Sequence, residues 1–221
     1  MKNYIRLTGM IGVCAAIVTT LPAPAADQEK GFYVNAAAGA SLADSVDLKA
    51  YFGSTPGVKM DFDTGFSFGV AGGYNFNQFL SAELETGYIG NTIKTVTGAG
   101  SFDGSLDHIP LMANVVFRYD QPNSRFVPYL GAGIGGDTSL ITLNYATANN
   151  VTAYGTDSTI VFAWQVFGGL RFKFNENMSL GAGYKYYSAQ DASWDFAGFS
   201  NSIKIGTATV HRILVEFNMK F

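Results

Sequence analysis

The chain has one cysteine in 221 residues, Cys14, and it falls within an N-terminal apolar stretch. The remainder of the chain has none. That excludes disulfides, thiol catalysis and any metal site that needs thiolates. Charge is also scarce: Asp, Glu, Lys and Arg make up 14% of the chain, against about 25% in ordinary soluble domains. No apolar run after residue 26 approaches the ~20 residues a membrane-spanning helix needs. The formal charge of −3 becomes −5 once Lys2 and Arg6 are removed with the N-terminal segment, so nothing points to nucleic acid as a partner. No helical period stands out, and no cofactor is expected.

The N-terminal segment reads "MKNYIRLTGMIGVCAAIVTTLPAPAADQ". Lys2 and Arg6 precede an apolar stretch from Leu7 to Leu21, and Ala23-Pro24-Ala25 closes it with a small-x-small pattern. Residues 1–25 are therefore expected to be a secretory signal peptide cleaved near Ala25, leaving 26–221 as one domain. The stretch is too short for a spanning helix and contains Thr and Gly. Cys14 follows Val13 rather than a small residue at a cleavage edge, so a lipid anchor is not expected.

Abundant in what remains are glycine and aromatic residues: 26 Gly, 18 Phe and 12 Tyr in the whole chain. Eight runs alternate with period two, at about 30–41, 64–74, 79–89, 105–119, 126–136, 159–174, 178–188 and 207–221. Short connections (75–78, 120–125, 175–177) alternate with long ones (42–63, 90–104, 137–158, 189–206). Antiparallel strands joined by tight turns at one end and long loops at the other form an up-and-down barrel, and this spacing is that of outer-membrane barrels.

Strands send successive side chains to opposite faces. In "ILVEFNMKF", Ile213, Val215, Phe217, Met219 and Phe221 share one face, and Leu214, Glu216, Asn218 and Lys220 the other. Leu80, Ala82, Leu84, Thr86 and Tyr88 likewise oppose Ser81, Glu83, Glu85 and Gly87. A soluble barrel would turn the large rings inward and cover itself with Gly and Ala. The reverse packs better, because an eight-stranded barrel has room inside only for side chains. The predicted fold is an all-β, eight-stranded antiparallel transmembrane barrel with its apolar face in outer-membrane lipid. Tyr74, Tyr88, Tyr119, Phe174, Tyr184 and Phe221 fall near strand ends, where rings sit at a membrane interface.

The strand sequences "IPLMANVVFRYD" (109–120), "VPYLGAGIGG" (127–136), "FAWQVFGGLRFKFNENMSLGAGYKYY" (162–187) and the terminal Phe221 resemble the outer-membrane β-barrel family of opacity-type surface antigens and small OmpA/OmpX-like, porin-family proteins. The resemblance spans the strands and stops at the long loops. It implies a bacterial outer-membrane location after export. It also implies insertion by the barrel-assembly machinery, which reads Phe217 and Phe221 in such chains; Met219 departs from the aromatic usual at that place. Surface exposure, integrity, adhesion or immune interaction are the roles it implies, with no shared chemistry.

Six charged residues are expected inside the barrel: Glu83, Glu85, Arg171, Lys185, Arg212 and Glu216. Buried charge must be paired, so Glu85 is expected to meet Arg212 or Lys185, and Glu83 and Glu216 to share Arg171 or Lys185. Arg118, Lys173 and Lys220 fall nearer the short-turn rim. An ion-pair plug is the favoured reading, and a narrow channel the alternative. "GAGIGG" at 131–136 has dinucleotide-binding spacing, but no helix is expected after it to hold a pyrophosphate. His211 with Ser200 or Ser202 is a weaker candidate for an envelope lipid-modifying enzyme. The long loops hold nine Asp against four Lys, with Tyr51, Phe52, Tyr145, Tyr154, Trp194, Phe196 and Phe199. These rings either contact an extracellular ligand or pack one loop on another. The function read from sequence is a non-enzymatic outer-membrane surface protein with a charge-plugged interior.

Overall fold

The computed structural model describes residues 30–51, 57–97, 102–121, 123–148, 151–196 and 202–221. The expected signal peptide, with Cys14, lies outside the described residues, as do Phe52, Phe199 and Ser200. Twelve strands are present: β1 (Gly31–Ala43), β2 (Val46–Ala50), β3 (Val58–Phe62), β4 (Gly65–Asn75), β5 (Leu80–Val96), β6 (Phe102–Arg118), β7 (Phe126–Ala148), β8 (Val151–Lys173), β9 (Met178–Ala189), β10 (Ala192–Trp194), β11 (Ile203–Ile205) and β12 (Ala208–Lys220).

Eight of them close a ring, each strand antiparallel to the next. Pairing passes from β1 through β4, β5, β6, β7, β8, β9 and β12 back to β1. The stagger follows from the register. Starting at Gly31, successive partners are Asn75, Ser81, Val116, Gly131, Phe167, Lys185 and Arg212, and Arg212 pairs with Ser41, ten residues along from the start. That shear over eight strands tilts them by roughly 40°, within the usual barrel range.

The alternation read in the sequence sorts the side chains as expected. Leu84, Leu111, Leu130, Ile134, Ile213 and Val215 are each about 60% exposed, while Glu85, Asn114, Gln165, Leu214 and Glu216 are buried. A continuous exposed apolar belt belongs in lipid rather than water. Rings rim the belt at both heights. At the short-turn end Phe32–Tyr74, Phe79–Tyr119 and Phe126–Phe172 lie 5.0, 6.1 and 5.4 Å apart. At the other end Phe66–Tyr88, Trp164–Tyr186 and Tyr186–His211 lie 5.5, 5.4 and 5.4 Å apart. From Trp164 on β8 to Phe174, just past its end, the tilted chain rises roughly 25 Å, the height of an outer-membrane apolar band.

The long connections are not the open loops the sequence suggested. The connections at 90–104 and 137–158 prove largely to be continuations of β5 to β8, which run on past the belt. The other two fold as hairpins, β2–β3 and β10–β11. These hairpins add to the long strands in the order β10–β11–β2–β3–β5. At the far edge β10 returns to the β7–β8 pair: Trp194 Nε1 donates to Ser139 O (3.0 Å), and Asp195 N to Asp157 Oδ2 (2.8 Å). The result is a lobe above the membrane with its own apolar core, including Val46, Met60, Ile93, Ile141, Trp194 and Ile203.

Candidate functional site

The lumen is filled in layers. β6, β8, β9 and β12 each turn an inward position toward Glu85 on β5. Lys185 Nζ donates to both Glu85 oxygens at 2.7 Å, and Arg212 Nη1 lies 3.6 Å from Oε1. Asn114 Nδ2 and Gln165 Nε2 each donate to Oε2 at 2.8 Å. Arg212 Nε also reaches Ser67 Oγ (3.2 Å). Side-chain exposure of Glu85, Lys185 and Arg212 is 5%, 3% and 1%, so their attraction acts with little water to weaken it.

A second pair lies one layer nearer the short-turn end. Arg171 Nη2 sits 3.3 Å from Glu216 Oε2 and stacks over the Tyr129 ring at 4.3 Å. Glu83 departs from the expected sharing of Arg171 or Lys185. Its two oxygens take neutral donors instead, Tyr33 OH at 2.8 Å and Asn114 Nδ2 at 3.1 Å. The six interior residues therefore fall into two sets: Arg171 with Glu216, and Glu85 with Lys185 and Arg212, to which Glu83 is joined through Asn114.

Above the charged layers the lumen turns apolar, with Ile89, Met112, Ala163, Tyr187, Ala189 and Val210 packed together. Beside them His108 Nδ1 lies 2.7 Å from Asp137 Oδ2, both almost fully buried. By sequence Asp137 is one of the nine Asp of the long loops. It belongs to β7, and the signal for this was the unbroken alternation of Asp137, Ser139, Ile141 and Leu143, all inward and buried. Gln165 and Asn114 were equally legible as inward polar positions on β8 and β6.

The "GAGIGG" glycines lie in the middle of β7, and the chain continues as strand to Ala148. Their smallness serves packing. A Cβ at Gly131 would come within 2.3 Å of the Phe167 ring, and one at Gly133 within 1.8 Å of Asn114 Oδ1. His211 bonds Tyr184 OH through Nδ1 and faces Asp44 Oδ2 (3.4 Å) through Nε2. Ser202 donates to Asp195 instead (2.7 Å).

Loop acids serve as acceptors that hold the lobe together. Asp61 takes Ser45 and Thr95, and these bonds keep its carboxyl below the ordinary range. Asp191 takes Lys49, with the same effect. Tyr51, Trp194 and Phe196 are buried in the lobe core, whereas Tyr145 and Tyr154 remain 43% and 78% exposed. At the chain end Phe217 and Phe221 are exposed on the lipid face with Met219 partly so, and Phe221 N bonds Phe32 O (2.9 Å).

The short-turn mouth is a solvent-open basin of about 360 Å³ whose lining includes Arg118, Asp120, Arg171, Lys173 and Lys220. Lys173 and Arg118 lie 2.8 and 3.3 Å from the two Asp120 oxygens, and Lys220 shares one of them.

The family model for the outer membrane protein beta-barrel domain matches residues 11–221. Solved structures that share the fold include three at 18–21% identity. Outer membrane protein OprG from Pseudomonas aeruginosa is 18% identical, with a TM-score of 0.58, covering 87% of this chain and 98% of that one. Neisserial surface protein A is 21% identical, with a TM-score of 0.55, covering 86% and 97%. Outer membrane protein AlkL, solved in DMPC bilayers, is 18% identical, with a TM-score of 0.52, covering 92% and 97%. No curated protein sequence matches the chain.

Proposed function

This chain belongs to the outer membrane protein β-barrel domain family and resides in the bacterial outer membrane, and from that premise we propose that it is a non-enzymatic surface protein with a structural or interaction role. The observation that carries this reading is where the structure closes. Glu85, Lys185 and Arg212 span the lumen, an apolar layer lies above them, and the lobe core sits over the mouth. A lumen filled in this way favours a plug over a conducting path. Outer-membrane barrels place their long connections outside the cell, so the lobe is the part presented to the surroundings. Rigid scaffolds carry function on such connections, and among the described residues Tyr145 and Tyr154 are rings exposed there. His211 bonded to Tyr184 and Asp44 reads as an interfacial ring of the upper girdle rather than a general base. Signal cleavage near Ala25 and insertion by the barrel-assembly machinery complete the proposal.

The test is conductance across planar bilayers by the folded barrel. The plug reading expects no steady current, and a stable ohmic current would replace it with a channel. A parallel assay of lipid A and phospholipid turnover expects none. Turnover that disappears in His211→Ala would make the protein an enzyme. Cells displaying the barrel with the lobe hairpins replaced by short turns should lose binding to extracellular surfaces that the full chain confers.

A further inference from the structure

Charge at the short-turn mouth is unevenly distributed. Arg118 comes from the end of β6, Arg171 and Lys173 from the end of β8, and Lys220 from the end of β12. Three of these, Arg118, Lys173 and Lys220, converge on the single carboxylate of Asp120. Among the described residues, three cations there meet one anion. Among the described residues the wider set balances, since Arg171 is met by Glu216 and Glu83 and Glu176 lies on the facing turn, so the excess is local to Asp120. The cluster is sheltered: side-chain exposure is 4% for Arg118, 10% for Asp120, 18% for Lys173 and 20% for Lys220. Sheltered charges are screened less by salt than open surface ones. Yet the cluster faces a basin of about 360 Å³ that is open to solvent and also lined by Asn75, Asn177, Ser179 and Asn218.

We propose that this basin binds a polyvalent, phosphate-bearing anion from the periplasm, and that Asp120 occupies the site as an internal anion in its absence. The shape of the cation set selects the ligand class. One guanidinium fork matches a planar carboxylate. Here the donors are two ammoniums and one guanidinium from three separate strands rather than a single planar fork, which suits a phosphate. Lys173 already divides its ammonium between Asp120 and Gln121 O (3.1 Å), and Arg118 between Asp120 and Asn77 O (2.7 Å), so both are held in place before a ligand arrives. Burial opposes ionisation of Asp120, but Lys173 and Lys220 outweigh it and hold the carboxyl below its ordinary range. The site is therefore occupied by an ionised internal competitor at neutral pH. The proposal rests on the short turns facing the periplasm, and is independent of whatever the lobe contacts outside.

The experiment titrates inorganic pyrophosphate into the full mature chain, folded in zwitterionic micelles at fixed ionic strength, and follows backbone amide shifts. Saturable shifts are expected at residues 118–121, 171–179 and 218–220, with acetate and chloride binding at least about tenfold more weakly. Lys173→Gln combined with Lys220→Gln should weaken binding about tenfold or more, since each lost charge-assisted bond is worth that order. Asp120→Asn should tighten it, because the competitor is gone; a purely structural ion cluster predicts no gain. Lys49→Gln in the lobe should change nothing. Heat-dependent gel mobility establishes that each variant is folded, and Lys220→Gln alone replaces the double variant if that one is not. The proposal is overturned if shifts spread equally to Lys49, Lys59 and Lys94, if acetate matches pyrophosphate, or if the folded lysine variant binds as the parent does.

Discussion

Replacing Glu85 by Gln removes one negative charge and almost no volume, so the result reports on polar pairing rather than packing. Two cations then lose their partner: Lys185, bonded to both oxygens at 2.7 Å, and Arg212, 3.6 Å from Oε1. Neither can turn to water, since their side chains are 3% and 1% exposed. The new amide also brings a second difficulty. Its nitrogen is badly met in either orientation: at the Oε2 position it faces the N–H donors of Asn114 and Gln165 (2.8 Å), and at the Oε1 position Lys185 and Arg212. Breaking a buried pair from one side costs about 3–5 kcal/mol, and two stranded cations place Glu85→Gln in the upper part of that range. The assay is reversible urea unfolding in lipid vesicles, read by gel mobility and tryptophan fluorescence. Adding Lys185→Met should recover part of the loss, roughly 1–3 kcal/mol for a directly coupled pair. A change below about 0.5 kcal/mol, the range of an ordinary surface substitution, would refute the pairing argument. If the same variant also conducted ions, the lumen would be a pathway rather than a plug.

Trp194→Ala should cost the lobe about 3–5 kcal/mol, because the ring is 1% exposed and its Nε1 bonds Ser139 O. Limited proteolysis should then cut the lobe while the barrel keeps its heat-dependent gel shift, and loss of both together would contradict a separately packed core. Deleting Phe221 should lower the amount of barrel assembled in cells more than Lys220→Ala does, because the deletion removes a lipid-facing ring and the bond from its N–H to Phe32 O; quantitative blotting of membrane fractions decides it. Asp191 should act as a pH-sensitive latch for the lobe hairpins. The Lys49 bond lowers its carboxyl pKa, so the stabilisation is complete above the unfolded carboxylate range and is lost as pH falls through the lower folded value. Hydrogen exchange at residues 203–207 should rise in that acidic window, and Asp191→Asn should flatten the dependence.

Period-two alternation determined most of the barrel from sequence alone. Successive side chains on a strand must face opposite ways, so Ile213, Val215 and Phe217 had to part from Leu214, Glu216 and Asn218. Small and charged residues on one face and large apolar ones on the other had only one close-packed solution at eight strands. Three connections too short for anything but turns then placed neighbouring strands antiparallel. Which charges meet was not legible, because pairing across a lumen depends on shear. Only the closed ring, returning from Gly31 to Ser41, brings Glu85 beside Lys185, a hundred residues away in sequence. Nor did alternation reveal the lobe. β2, β3, β10 and β11 are three to five residues long, too short for a periodic signal to rise above chance. Their apolar side chains become a core only when the tertiary fold sets them against the extended ends of β5 to β8, since an isolated hairpin of that length cannot bury enough surface to hold itself together.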